Sequence, residues 1–245
     1  GKIKEKMFFK YRQVEKFLEI VEDVLKQLPE TPVLKIADFG CGKSYLSFAL
    51  AEYLKSTNRN FEIIGIDLKD ELIQKLNQYA QELCIEGLQF HSGDIRTFPL
   101  GQAPDIVISL HACDTATDYL LAKAVHAGAK AILSVPCCQH EFARQVSQPL
   151  LHPLLKHGIL KERFASLATD AVRASILELA GYTAQVMEFV DTEHTPKNLL
   201  IRAIKRSSQH KSGTSKVELV HLMEFLHMKP KLWSLLGYGD FPSTD

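Results

Sequence analysis

The chain has 245 residues, 46% of them hydrophobic and 24% charged, a composition ordinary for a soluble globular protein with one large core or a core plus a small appendage. Twenty-nine Lys and Arg balance 29 Asp and Glu, so no whole-molecule field draws it to nucleic acid or an anionic membrane, and a polyanion partner has to use a local patch. No apolar run approaches the ~20 residues of a membrane span, and no signal-peptide pattern opens the chain.

Residues Ile3 to Leu28 carry apolar side chains at helical spacing (Phe9, Val14, Phe17, Val21, Leu25), with a basic first half. This reads as a solvated helix packed on the core, with a substrate contact as the alternative. Pro29 and Pro32 end it. Strand and helix signals then alternate: strands at Val33–Asp38, Phe61–Asp67, Leu88–His91, Asp105–Leu110 and Ala131–Val135, with helices at 43–55, 70–83 and 117–126. That alternation predicts an α/β fold, a mostly parallel sheet with helices on both faces. Arg144 to Ala180 reads as helix broken around Pro149, Pro153 and Gly158. Tyr182–Val190 and Leu199–Ile204 read as an antiparallel hairpin. The polar stretch Ser207–Ser215 is a linker, and Val217–Leu236 a helical appendage broken at Pro230. The expected organisation is an N-terminal helical segment (1–30), a main domain (31–206) and a linker with appendage (207–245).

The five cysteines are Cys41, Cys84, Cys113, Cys137 and Cys138. An odd number in a chain of this length suggests reduced thiols and a cytoplasmic setting. The sequence starts at Gly1 without Met, which leaves room for an additional N-terminal domain outside it.

The most informative stretch is Asp38-Phe39-Gly40-Cys41-Gly42-Lys43-Ser44, between the first strand and its helix. Its glycines allow positive φ and close approach of a ligand to bare backbone, and the helix behind it offers free N–H groups. A dinucleotide fingerprint requires a third glycine where Tyr45 stands. A phosphate-binding P-loop shares Gly42-Lys43-Ser44, but it requires a glycine at Ala37, which lies inside the strand. S-adenosylmethionine (AdoMet), a cation without phosphates, suits an acid-led Asp-x-Gly-x-Gly turn. Asp67, ending the second strand, stands where an acid takes ribose hydroxyls. Asp94, with Ile95 beside it, stands where a carboxylate accepts from an exocyclic amine.

This ladder resembles the class I AdoMet-dependent methyltransferases, a Rossmann-like family, over about Val33 to Arg206. The resemblance implies a seven-stranded sheet in the order 3-2-1-4-5-7-6 and AdoMet as cofactor. It places Asp38, Phe39, Gly40, Cys41 and Gly42 on the methionine part, Asp67 and Leu68 on the ribose, Asp94 and Ile95 on the adenine, and His111 beside the cofactor. The segments Leu110-His111-Ala112-Cys113-Asp114 and Pro136-Cys137-Cys138-Gln139-His140-Glu141 resemble a subgroup that includes tRNA 2′-O-methyltransferases and methyltransferase-like proteins. An Asn-Pro-Pro-Tyr-like segment, the mark of amino-group methylation, is missing after the fourth strand.

The resemblance makes RNA, tRNA included, the leading substrate class. The alternatives are a protein or small-molecule substrate, or a non-catalytic AdoMet- or RNA-binding module. Candidate catalytic residues are His111, Asp114 and Cys137, with His140 and Glu141 across the cleft as further bases. Asp114 also fits a helix N-cap, and His111 a contact to cofactor or helix. Cys137 also fits a nucleophile of cytosine C5 methylation. His111, Cys113, Cys137, Cys138 and His140 have zinc-ligand chemistry without the usual spacing, and no metal is expected. Lys197, Arg202, Lys205, Arg206, His210, Lys211 and Lys216 form a basic run that can track a phosphate backbone.

Overall fold

The computed structural model describes residues 5–100, 103–110, 114–136, 139–189, 198–207 and 215–239, with side chains from residue 11 onward. In chain order the first half runs α1 (Glu5–Gln27), β1 (Leu34–Phe39), α2 (Tyr45–Ser56), β2 (Phe61–Asp67), α3 (Asp70–Glu82), β3 (Leu88–Ser92) and β4 (Ile106–Ser109). The second half runs α4 (Thr115–His126), β5 (Ala131–Ser134), α5 (His140–Gln145), a 3-10 turn (Pro149–Leu151), α6 (His152–Leu155) and α7 (Gly158–Leu179). It closes with β6 (Tyr182–Glu188), β7 (Leu199–Lys205), α8 (Lys216–Phe225) and α9 (Lys231–Leu235).

The strands form one sheet in the order β3-β2-β1-β4-β5-β7-β6. The pairs among β1 to β5 are parallel. Strand β7 is antiparallel to both β5 and β6. The strand order and the single reversed strand are those the resemblance implies.

Side chains alternate across the sheet and feed two cores. Leu34, Ile36, Ile106, Ile108, Ala131 and Leu133 face α1, α2 and α3. Ala37, Phe39, Val107, Ile132, Ile201 and Ala203 face the layer of α4, α5 and α7, onto which α8 and α9 pack. Helix α1 is anchored in the first core by Phe17, Val21 and Val24, all fully buried, and the Phe17 ring meets Phe189 edge-on at 6.3 Å. Asp105, just ahead of β4, joins three strand starts. Its Oδ2 accepts from the Lys35 N–H at 2.8 Å, and its Oδ1 pairs with Lys130 Nζ at 2.7 Å.

The parallel strands are therefore in register at their carboxyl ends, where an open α/β sheet places its ligand. Among the described residues no helix is long and apolar enough to cross a membrane.

Candidate active site

Beyond Phe39 the chain turns through Gly40 (φ +68°) and Gly42 (φ +51°), a region that an L side chain adopts only with strain. The Ile66 carbonyl of β2 accepts from Gly40 N at 2.8 Å and Cys41 N at 3.1 Å. Asp67 fixes the far side of the turn: its Oδ2 accepts from Gly42 N at 3.0 Å and its Oδ1 from Lys69 N at 3.2 Å. The next strand's acid thus holds the glycine turn open. A Cβ added to Gly42 would touch only Gly40 O, at 3.9 Å. The space in front of this turn is therefore free for a ligand.

Helix α2 starts at Tyr45, two residues later than its sequence suggests. The delay comes from Ser44, which is buried and itself left-handed (φ 56°). Its side chain makes no cap bond. Instead Ser44 Oγ donates to Ser47 Oγ at 2.8 Å, and Ser47 Oγ donates to Asp38 Oδ2 at 2.5 Å. Asp38 is 5% exposed. Burial pushes its carboxyl up to about 7, with the Ser47 hydrogen bond opposing and the charge of Asp67 adding to the rise.

A cavity of about 330 Å³ opens on this turn, lined by Asp38, Gly40, Cys41, Lys43, Ser44, Tyr45 and Leu46. Gln13 and Val14 of α1 form one wall and Leu110, at the end of β4, another. The contribution of α1 escaped the sequence reading, because Gln13 belongs to no motif. Cys41 is buried, and burial pushes its thiol far up, so it serves as a packing surface and not as a thiolate. Gly65 makes room for it: a Cβ there would lie 3.3 Å from Cys41 Sγ and 2.4 Å from Phe90 Cδ1. Phe39 buries its ring in the core and leaves only backbone for the turn.

Farther along the strand ends, Leu68 is 69% exposed beside Asp67. Asp94 accepts from the Arg96 backbone N–H at 2.8 Å and from its guanidinium, and these bonds hold its carboxyl down at about 2. Ile95 packs partly against the second core. Asp38, Gly40, Cys41 and Gly42 thus converge with Asp67 on one turn. Asp94 and Ile95 follow β3, two strand positions away from β1.

The ends of β4 and β5 are organised by a buried network that the sequence did not reveal. Arg173 of α7 is 1% exposed. Its Nε and Nη2 donate to both Asp118 carboxylate oxygens at 3.1 and 2.7 Å, and its Nη1 to Asp170 Oδ1 at 3.3 Å. Nη2 also donates to the Asp114 carbonyl at 2.9 Å. Gln139 Nε2 donates to Asp170 Oδ2 at 3.1 Å and its Oε1 accepts from Ser166 Oγ at 2.9 Å. Burial pushes Asp170 up to about 6 despite Arg173 beside it.

Asp114 occupies the N-cap position of α4 without a side-chain cap bond, at φ 54°. Its Oδ1 instead accepts from Glu141 N at 3.0 Å. The segments after β4 and β5 are thereby tied together, and two candidate bases meet. Burial raises Glu141, as do the charges of Asp118 and Asp114. Ser109 and Ser134, paired in register, are buried with no hydrogen-bond partner among the described residues. His111, Cys113, Cys137 and Cys138 lie outside the described residues, as do Lys197, His210 and Lys211. Among the described residues no cluster of His, Cys, Asp and Glu has metal-binding geometry.

The methyltransferase-domain family matches residues 9–145, more than half of the sequence. The chain belongs to that family. The match starts inside α1, which agrees with the place of Gln13 and Val14 on the cavity wall. A release factor glutamine methyltransferase of Enterococcus faecalis is 35% identical over 91 residues, 37% of this chain and 31% of that protein. The 23S rRNA (uracil(747)-C(5))-methyltransferase RlmC of Glaesserella parasuis is 30% identical over 84 residues, 33% of this chain and 22% of that protein. The aligned stretches span less than a third of either relative. Magnesium protoporphyrin IX methyltransferase (ChlM) from Synechocystis PCC 6803, solved with bound SAH, shares the fold. Its TM-score is 0.54 at 17% identity, covering 84% of this chain and 89% of that one.

Proposed function

We propose that this member of the methyltransferase-domain family transfers the methyl group of AdoMet to RNA, with tRNA among the candidates. The observation that carries the reading is the single cavity at the strand ends. Asp38 and the glycine turn form one side of it and Leu110, directly before His111, another. Cofactor turn and candidate chemical segment therefore open on the same space.

Bound AdoMet supplies an electrophilic methyl on a sulfonium, which the substrate nucleophile displaces in line. The chain's own residues then have to bind, orient and deprotonate. Asp38 and the backbone at Gly40 and Gly42 would take the methionine part. Asp67 would accept the ribose hydroxyls on its remaining lone pairs while keeping the Gly42 N–H. Leu68 and Ile95 offer apolar surface to the adenine, and Asp94, oriented and kept ionised by Arg96, an acceptor for its amine. Asp114 and Glu141 are placed to take a proton from an attacking hydroxyl, Glu141 being the more basic for its burial. Roles for His111 and Cys137 belong to the same proposal.

RNA as the substrate class is supported by the strand-four and strand-five segments quoted above and by the rRNA methyltransferase among the relatives. The glutamine methyltransferase relative suggests protein, but the Asn-Pro-Pro-Tyr-like segment of amino-group methylation has no counterpart at Leu110-His111-Ala112-Cys113. Incubation with AdoMet tritiated on the methyl, against total RNA and total protein from one extract, tests the reading. The expected result is acid-precipitable label in the RNA fraction that ribonuclease releases. Label in the protein fraction alone would replace RNA with a protein substrate.

A further inference from the structure

The corner of the sheet farthest from the glycine turn holds a groove of about 630 Å³. It lies where α1 ends at Gln27 and leaves the start of β6 and the end of β7 without a covering helix. Thr183 and Gln185 of β6 are exposed on its floor beside Ile204. Lys130, Arg202, Lys205 and Arg206 line it, and no carboxylate does. In a chain of zero net charge, four cations and no acid around one groove reflect placement, not overall basicity.

Two of the four are neutralised from behind. Lys130 pairs with buried Asp105, and Arg202 pairs with Asp23 of α1. The others sit at helix ends. Lys205 forms no ion pair among the described residues, and its Nζ lies 3.5 Å from where a Cβ on Gly128, after α4, would stand. Arg206 Nη2 donates to the Glu178 carbonyl in the last turn of α7, leaving the rest of its five N–H donors. Helix C-termini favour cations there, so both charges are held at the groove without being cancelled. Lys216, from the same basic run of the sequence, lies elsewhere: its Nζ is 5.5 Å from the Trp233 and Tyr238 ring centroids.

We propose that this groove binds the phosphodiester backbone of a structured RNA, an inference that rests on the RNA reading above. Phosphate oxygens meet Lys205 and Arg206, and the Thr183 and Gln185 side chains hydrogen-bond to sugar or phosphate. Strand β7 sets the scale. Its six steps from Leu199 to Lys205 span about 20 Å at ~3.4 Å per residue. The phosphates bound here are thus on the order of 20 Å from the methyl-transfer site. A folded RNA reaches both sites, whereas a mononucleotide cannot.

The test uses fluorescein-labelled unfractionated tRNA, titrated with the intact chain between 50 and 200 mM salt. The variants are K205A/R206A, Gln185→Glu, and the control K55A/K75A, which removes equal charge from α2 and α3. The groove predicts that K205A/R206A weakens binding roughly tenfold or more and lowers the slope of log Kobs against log salt by about 1.5. Gln185→Glu weakens binding as well, and the control leaves the slope unchanged. AdoMet affinity should be equal in all variants, confirming that they fold. If the wild type binds tRNA but K205A/R206A binds like the control, the groove is wrong and the RNA reading stands. If the wild type binds AdoMet but no tRNA, the RNA reading fails and the groove with it.

Discussion

The two halves of the active end are built on different principles. The half at β1 and β2 is a backbone device. Two left-handed glycines, a carbonyl from Ile66 and the Asp67 carboxylate shape a turn within a single strand-turn-helix unit and its neighbour. The half at β4 and β5 is a side-chain device. One buried guanidinium, Arg173, gathers Asp118, Asp170 and the Asp114 carbonyl from residues more than fifty positions apart in sequence, save Asp170. A local device recognises a constant ligand with little machinery. A long-range one fixes segments whose chemistry can change while their anchor stays the same.

The comparison predicts that the halves fail separately. The largest effect is expected from Arg173→Leu, which leaves Asp118 and Asp170 buried without their cation. Breaking a buried pair in this way costs about 3–5 kcal/mol, a fall in Tm on the order of 10 °C for a chain of this size. Calorimetric melting measures it. Below the new transition, AdoMet affinity should remain within about threefold of wild type, a difference worth under ~1 kcal/mol. A larger loss would show that the network also shapes the cofactor turn.

Gly42→Ala should do the reverse. The left-handed conformation costs roughly 1–2 kcal/mol with a Cβ, about 2–8 °C in Tm. The methyl occupies the free space before the turn, so AdoMet affinity should drop by about tenfold or more. Equal affinity would place the ligand elsewhere.

The smallest effect concerns pH. Asp38 titrates near 7 when folded against 3.8 as a free group, so the native state binds a proton that the unfolded chain has released. The stability it contributes is full below pH ~4 and is lost as pH rises through 7. Asp38→Asn removes that loss. The stability of the variant relative to wild type should climb between pH 4 and 7 and then level off, as read by urea melts. A cationic ligand favours the ionised carboxylate, so wild-type AdoMet binding should tighten by at most about tenfold per unit up to pH 7.

The same contrast explains what was legible in the sequence. Phe61–Asp67 forms a strand with the boundaries its alternation and glycine predict, and Asp38, Gly40 and Gly42 announce the turn because their chemistry is local. Ser44 was read as helix, since nothing nearby in sequence shows that its hydroxyl would be drawn inward toward Ser47 and Asp38. Arg173 reads as an ordinary helix cation. Only the Asp170-x-x-Arg173 spacing on α7 hints at a pair, and the third partner, Asp118, is 55 residues away. Gln13 reached the cavity through the packing of α1, a property of the whole fold. The basic run of the sequence was divided by the fold, with Lys205 and Arg206 on the groove and Lys216 beside Trp233.

The most direct test of the central claim is calorimetric titration of the intact chain and of Asp67→Ala with AdoMet and S-adenosylhomocysteine, with ATP alongside. The account predicts binding to both sulfur ligands and none to ATP. In Asp67→Ala, where the Gly42 N–H loses its acceptor and the ribose its partner, affinity should fall by about 30-fold, near 2 kcal/mol. Binding of ATP in place of AdoMet, or AdoMet binding that Asp67→Ala leaves untouched, would contradict it.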